Sequence, residues 1–346
     1  MKKVLFTSLL ILLLSAAIPF QAQATFPGKN IVFWDLGQSD EQKDNTLIEA
    51  YDLATKNNYG QALKIIDQKI QTSPKLTTLH VMKGLILNEL RMYIPAVRAL
   101  NDAQMIEGRH PGIHYGFCEV YRNLGMTDLS LQACRVAEEV HRFSPEAHYE
   151  YAQTLIATGE MKLANKSLST AAELDPSNAQ YHYQRGMNFY YLNQYEAAEN
   201  AFLKALSIDT SDVDSAYQLA YIYAAQNKAT LANQQIVKVL QIQKEHPKIQ
   251  SAKLLLEYVK NNALDKLPLK IIPHDYHVGR SKSYYQSGDY GLALIEIETA
   301  VKLKPNDLQT KEILIGLTSF LLRINTTEKT IKEMISIAGE TDIITA

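Results

Sequence analysis

Nine histidines give this sequence its widest chemical range, since imidazole serves as metal ligand, general acid and general base. His80, His114, His148 and His182 recur every thirty-four residues, and His277 takes the same position in a later unit. Ligands of one metal ion must converge to about 2 Å from it. Equivalent positions of stacked units stand roughly a helix diameter apart, about 10 Å, so these side chains cannot share an ion. His110 and His114 are four apart, but Pro111 and Gly112 lie between them and deny the pair a continuous helix. The sequence therefore predicts no metal and no cofactor. It carries no Ser, His and Asp set in a strand-turn-helix setting, no HExxH motif and no phosphate-binding glycine loop. No catalytic residue is assigned, and the chain reads as non-enzymatic.

The elements that position these residues follow from the period. Six units begin at Lys43, Thr77, Pro111, Pro145, Ala179 and Val213 and hold one register without insertion. Offset eight is Ala50, Gly84, Cys118, Ala152, Gly186 and Ala220; offset twenty is Ala62, Ala96, Ser130, Ala164, Ala198 and Ala232. Offset twenty-seven is Ala103, Ala137, Ala171, Ala205 and Val239, with Lys69 the outlier. Offsets four, eight and eleven share one stripe of a first helix, and twenty, twenty-four and twenty-seven share one stripe of a second. Breakers such as Gly125, Gly159 and Asn193-Gln194 separate the two, leaving room only for an antiparallel helical hairpin. Small residues let the two backbones approach, and Leu87, Leu155, Leu168, Phe189 and Phe202 fill the remaining space. One hairpin cannot bury its apolar face alone, so hairpins must stack into a right-handed solenoid with a curved inner surface.

The two cysteines fit this frame. Cys118 at offset eight and Cys134 at offset twenty-four face each other across one hairpin. Two readings stand: a disulfide, or two small side chains in a close-packed interface.

These units resemble the tetratricopeptide repeat family, with Leu174-Asp-Pro-Ser-Asn178 and Gly288-Asp-Tyr-Gly-Leu-Ala-Leu294 close to its consensus. The resemblance covers Lys43 to Asp307 apart from one interruption. It implies an all-α, right-handed superhelical solenoid that binds other chains, and leaves the partner unnamed. The offset-four histidines occupy the position of the family's Trp, which implies partly buried core imidazoles. Burial would hold their pKa values below about 6.5, so stability would be intact above that value and would fall below it.

The resemblance also gives the tyrosines a place. Tyr115, Tyr149, Tyr183 and Tyr217 hold offset five, Tyr51 and Tyr221 offset nine, and Tyr190 and Tyr285 offset twelve. In the family this stripe lines the concave groove. The candidate partner-binding residues are therefore Tyr51, Tyr115, Glu119, Tyr149, Gln153, Tyr183, Met187, Tyr190, Tyr217 and Tyr221. Tyr offers rigid area and a hydroxyl, although the same ring at offset five also serves as scaffold. The basic clamp by which some members hold carboxylate tails is absent, which favours an extended peptide or a partner helix.

Met1 to Ala24 has Lys2 and Lys3, an apolar run from Val4 to Ile18, and Ala22-Gln23-Ala24. This is the pattern of a cleaved export signal, and it predicts a periplasmic or secreted protein. Without it the net charge of −2 becomes about −4, which argues against nucleic acid or an anionic membrane as partner. A lead-in over 25–42 holds Ile31-Val-Phe-Trp34, expected to cover the first hairpin or to meet a partner. The six units fill 43–246. Residues 247–273 break the phase with a degenerate half-repeat and an extended Leu267 to Pro273 run, and 274–307 restore the pattern. Helices over Leu308 to Leu322 and Thr330 to Ala338 are expected to cap the solenoid within 308–346. The function expected is an interaction scaffold, with envelope assembly as its setting by analogy of fold. Two alternatives are a self-assembling structural protein, using the C-terminal helices or Ile31 to Trp34, and a carbohydrate-binding module.

Overall fold

The computed structural model describes residue 32 and residues 45–242, 248–264 and 272–321. The expected export signal, the lead-in other than Val32, most of the expected extended run before Pro273, and the expected Thr330 to Ala338 helix lie outside the described residues. Every regular element within the described residues is helical. Six hairpins follow one another: α1 (Asn45–Thr55) with α2 (Tyr59–Thr72), α3 (Thr77–Glu89) with α4 (Tyr93–Ile106), and α5 (Pro111–Asn123) with α6 (Thr127–Val140). Then come α7 (Pro145–Ala157) with α8 (Met161–Leu174), α9 (Ala179–Tyr191) with α10 (Tyr195–Ile208), and α11 (Val213–Ala225) with α12 (Ala229–Ile242). Each hairpin packs its first helix on the second helix of the hairpin before it, as a solenoid requires.

The starts and turns are written locally. Ser144, Asn178 and Asp212 cap first helices by accepting hydrogen bonds from the amides of Ala147, Gln180 and Ser215 at 3.3, 3.0 and 3.1 Å. Offset fifteen, between the two helices of a unit, is left-handed in every unit. Its occupants are Asn57, Arg91, Gly125, Gly159, Asn193, Asn227 and, in the last hairpin, Gly288, with φ from 58 to 84°. Six of these are Gly or Asn, the residues that enter this region at least strain. Arg91 is the exception, at φ 59°.

Within each hairpin, size is traded across offsets eight and twenty-four. Gly186 faces Phe202, and a methyl added at Gly186 would stand 2.5 Å from the ring. Ala50, Ala152 and Ala220 are set against Ile66, Leu168 and Ile236 at the same offsets, all fully buried. The third unit places cysteine at both, and Cys118 and Cys134 form a disulfide with S–S 1.99 Å and Cα–Cα 4.6 Å. Ser130 donates to the Cys118 carbonyl at 3.0 Å beside it. Val32 is fully buried in the core of the first units.

The stack ends on half a unit. Helix α13 (Lys248–Lys260) packs on α11 and α12 as a first helix would. The next hairpin, α14 (Pro273–Ser287) with α15 (Tyr290–Leu303), does not extend the row. It turns back, and α15 packs against α5 and α7. A helix over 308–321, here α16, was expected to close the solenoid. It covers this hairpin instead: Leu317 and Leu321 meet Ala293, Ile297 and Ala300, and Phe320 lies 5.0 Å from the Tyr290 ring. The repeat pattern at 274–307 is thus kept as a hairpin while its place in the row is given up.

Two measurements check this packing. Denaturation without reductant should expose no titratable thiol, and reduction should expose two and lower stability by about 3 kcal/mol for so short a closed loop. Gly186→Ala gains about 1 kcal/mol in helix propensity, yet the Phe202 ring must move, so a net loss of about 1–2 kcal/mol is expected in urea unfolding.

Candidate functional site

Most of the tyrosine stripe lies inside the molecule, with Tyr285 of the last hairpin exposed. Tyr51, Tyr115, Tyr183, Tyr190, Tyr217 and Tyr221 are buried, as are Glu119 and Met187, while Tyr149 and Gln153 are half-buried. Of the two roles open to this stripe, partner contact and scaffold, the burial of these rings favours the second, and the reason is visible in the contacts. Rings at offset five reach into the neighbouring unit. Tyr149 stands 5.2 Å from Tyr181 and its hydroxyl accepts from Gln180 at 3.3 Å. Tyr217 lies under the Lys248 ammonium of α13, 5.3 Å from the ring centre. Tyr190 meets Tyr221 edge-on at 6.1 Å. These rings join units together, so the stripe is largely scaffold.

The second reason is the returning hairpin. It lies along the ends of α3, α5, α7 and α9. Arg91 at the end of α3 pairs with Asp289 at 3.0 Å and donates to the Ser287 carbonyl at 2.9 Å. Gly291 comes so close to the Asn123 carbonyl and the Gly125 amide that a Cβ there would overlap backbone. Thr299 donates to the Ala157 carbonyl at 2.9 Å. Tyr276 packs edge-on against Tyr191 of α9 at 4.9 Å.

Two buried polar networks occupy this region. In the first, Glu296, fully buried, accepts from Arg280 Nε at 2.6 Å and stands 2.6 Å from His277 Nδ1. His277 Nε2 meets the Tyr191 hydroxyl at 3.2 Å. Arg280 also donates to Tyr276 and Tyr284 at 3.2 and 3.0 Å, so every charge has a partner, as a buried ion pair must. In the second, Arg122 pairs with Glu150 at 2.6 Å. Tyr115 and Asn88 donate to Glu119 at 3.2 and 3.4 Å, and Asn123 donates to Asn88 at 2.9 Å. Burial, then the charges of Glu150 and Glu89, push the Glu119 carboxyl well above its ordinary range. Burial and Glu150 raise Glu89 to about 7. Sequence reading missed both networks. The signal present was a carboxylate at offset nine, Glu119, next to an Arg on the same helix.

The offset-four histidines divide. His182 is lowered by burial and by Arg185 and Lys204, and the half-buried His114 by burial. His148 runs against expectation: burial opposes its charge, but Glu138 at 2.8 Å and the Arg142 carbonyl at 3.0 Å outweigh that and raise its pKa. His141, outside the series, is lowered to about 4 by burial and by His110 and His114. No group of three or more His, Cys, Asp or Glu side chains among the described residues is arranged to hold a metal ion. No helix of the described residues is long and apolar enough to cross a membrane.

The signs of these shifts set the pH behaviour. For His141 the unfolded chain binds more protons, so its contribution is intact above about 6.5 and is lost as pH falls toward 4. For Glu89 and Glu119 the folded chain holds the extra proton, so their contribution is present below about 4.5 and is lost as pH rises, through about 7 for Glu89. Glu119→Gln removes the ionisation and can keep the bond from Tyr115, but its amide nitrogen cannot accept from Asn88, so its melting temperature relative to the parent's should be higher at pH 8 than at pH 4.5. Tyr183→Ala should lower stability by about 3 kcal/mol as a buried aromatic truncation. Phe143→Ala, 76% exposed, should change it by no more than about 0.5 kcal/mol.

Residues 145–178, 179–212 and 274–307 each match a family model described as Tetratricopeptide repeat. No curated protein matches the chain. Among solved structures, the APC/C hetero-tetramer Cut9-Hcn1 aligns with a TM-score of 0.50 at 14% identity, over 89% of this chain and 54% of that one. A tetratricopeptide repeat protein from Parabacteroides merdae gives 0.48 at 16% identity, over 70% and 98%. YrrB, described as a TPR protein with an unusual peptide-binding site, gives 0.46 at 18%, over 57% and 97%. Such identities speak to fold alone. Three matched units, six hairpins in one register and a left-handed turn at offset fifteen throughout lead to one identification: the chain is a tetratricopeptide repeat protein.

Proposed function

We propose that this chain is a non-enzymatic protein-interaction scaffold, exported to the cell envelope, that holds a helix or extended segment of a partner on the inner face of its repeat row. The observation that carries this reading is the row itself, six thirty-four-residue hairpins in one register, an architecture whose curved face serves recognition. The inner face offers a partner aromatic rings and hydrogen-bonding groups around Tyr149 and Gln153, the two candidates that are not fully buried. Export is supported by the Lys2 to Ala24 pattern, and the Cys118–Cys134 bridge suits an oxidising compartment. The setting in envelope assembly rests on analogy of fold. A sugar-stacking ladder would need open ring faces, and Tyr115, Tyr183 and Tyr217 are at most 3% exposed, which favours a protein partner over a polysaccharide.

The mature protein isolated from its own source should begin at Thr25 by intact mass. Immobilised, it should retain one stoichiometric envelope protein. Phe143→Glu on an exposed position should leave that capture unchanged, and Gln153→Arg should weaken it about tenfold, the size of a modest interface hot spot. The reverse pattern would move binding to the outer surface, and a concentration-dependent doubling of mass without a partner would favour self-assembly.

A further inference from the structure

The last hairpin lies along the turns at the ends of α3, α5, α7 and α9. We infer that α14–α15, with α16, is a displaceable internal occupant of the repeat row's inner rim, latched by Arg91, so that a partner gains this rim only by displacing it. The inference rests on the binding reading given above and adds its regulation.

Three independent features support it. The first is the division of the core. Ala293, Ile297, Ala300 and Leu317, with Val278, Tyr290 and Leu321 against them, form an apolar cluster of their own, separate from the clusters that hold the row. Parting the two bodies would leave the hairpin's own cluster whole and would take one buried ring, Tyr276, out of the row's core. The second is the chemistry of the seam. It is made of hydrogen bonds and one ion pair: Arg91 to Asp289 and to the Ser287 carbonyl, Thr299 to the Ala157 carbonyl, and Tyr191 to His277. Such groups are satisfied by water on separation, whereas an aliphatic seam would not be. The apolar exceptions are Tyr276, packed with Tyr191 in the row's core, and Leu294 beside Gly125.

The third is Arg91 itself. Offset fifteen demands a left-handed backbone, and the other units meet it with Gly or Asn. A side chain with a long stem is strained there. The sequence accepts that strain in the one unit whose turn faces Asp289, and the guanidinium reaches a residue 198 positions later in the chain. Turn geometry alone would select Gly. The latch is also accessible, since Arg91 is 46% exposed and Asp289 15%, so a competing carboxylate can reach it. The occupant that would replace the hairpin is a helix of the same chemistry, with a carboxylate for Arg91, a small residue at the Asn123–Gly125 turn and a hydroxyl for the Ala157 carbonyl.

The test uses the full chain and amide hydrogen exchange. Arg91→Gly removes the latch and relieves the turn, and Arg91→Lys restores the charge. The expected result for Arg91→Gly is an exchange increase of about fivefold, the loss of one weak ion pair and its companion bond, confined to 123–126, 157–159 and 287–299. Exchange in α1, α2 and α10–α12 should be unchanged, and the melting temperature of the row should hold or rise. Arg91→Lys should return part of the protection. Gly291→Leu, which drives a side chain into the Asn123 backbone, should open the same segments through a different contact. Unchanged exchange at all three segments in both Arg91→Gly and Gly291→Leu would overturn the latch. Loss of protection throughout the row would overturn it as well, because the hairpin would then be an integral part of one cooperative fold. Neither outcome depends on a partner being found, so a failed capture experiment bears on the binding reading alone.

Discussion

The close approach of two helices within each hairpin is the constraint on which the rest depends. It requires a small residue at offset eight wherever a large one stands at offset twenty-four, and it produces Gly186 under Phe202 and Ala152 under Leu168. The same geometry brings Cys118 to Cys134 without disturbing the row, since both offsets already point at one another. Once the hairpin is narrow, its turn must be tight, and a left-handed residue at offset fifteen follows. Identical hairpins then stack by one operation, and the inner face is laid down by the first helices of all units.

That face is more polar than a hydrophobic core and more buried than a surface. Offset-five tyrosines cross from unit to unit, the Arg122–Glu150 pair lies within the row, and the Arg280–Glu296 pair lies within the returning hairpin. Low local polarity strengthens such pairs and raises the cost of any unpaired charge. Glu119 responds by favouring its neutral form. The result is a region whose shape is fixed by packing and whose stability answers to pH in two opposing directions, through buried histidines on one side and crowded carboxylates on the other.

What the sequence disclosed and what it hid separate along the same physical line. The period, the turn residues, the facing cysteines and the half-unit at 247–273 are local, and local patterns are written in neighbouring residues. The burial of Tyr183 and Tyr217 was half legible: offset five marks the inner stripe, but whether a ring there meets solvent or the next helix depends on packing between units. The return of α14–α15 was not legible as such, because Arg91 with Asp289 and Thr299 with Ala157 join residues far apart in the chain, and no periodicity encodes such a pairing. Two traces of it were nevertheless present. The last unit begins seven residues ahead of register, and Arg91 stands where its counterparts are Gly or Asn.

A distance measurement in solution addresses the central point, that the row's inner rim is held by the chain's own last hairpin. Probes attached through unnatural side chains at Ile94 and Gln286, both exposed positions flanking the Arg91–Asp289 contact, report on it without touching the disulfide. In the unmodified protein the account predicts a single, narrow, short distance. A broad distribution centred at long distance would contradict it, since the hairpin would then stand away from the row.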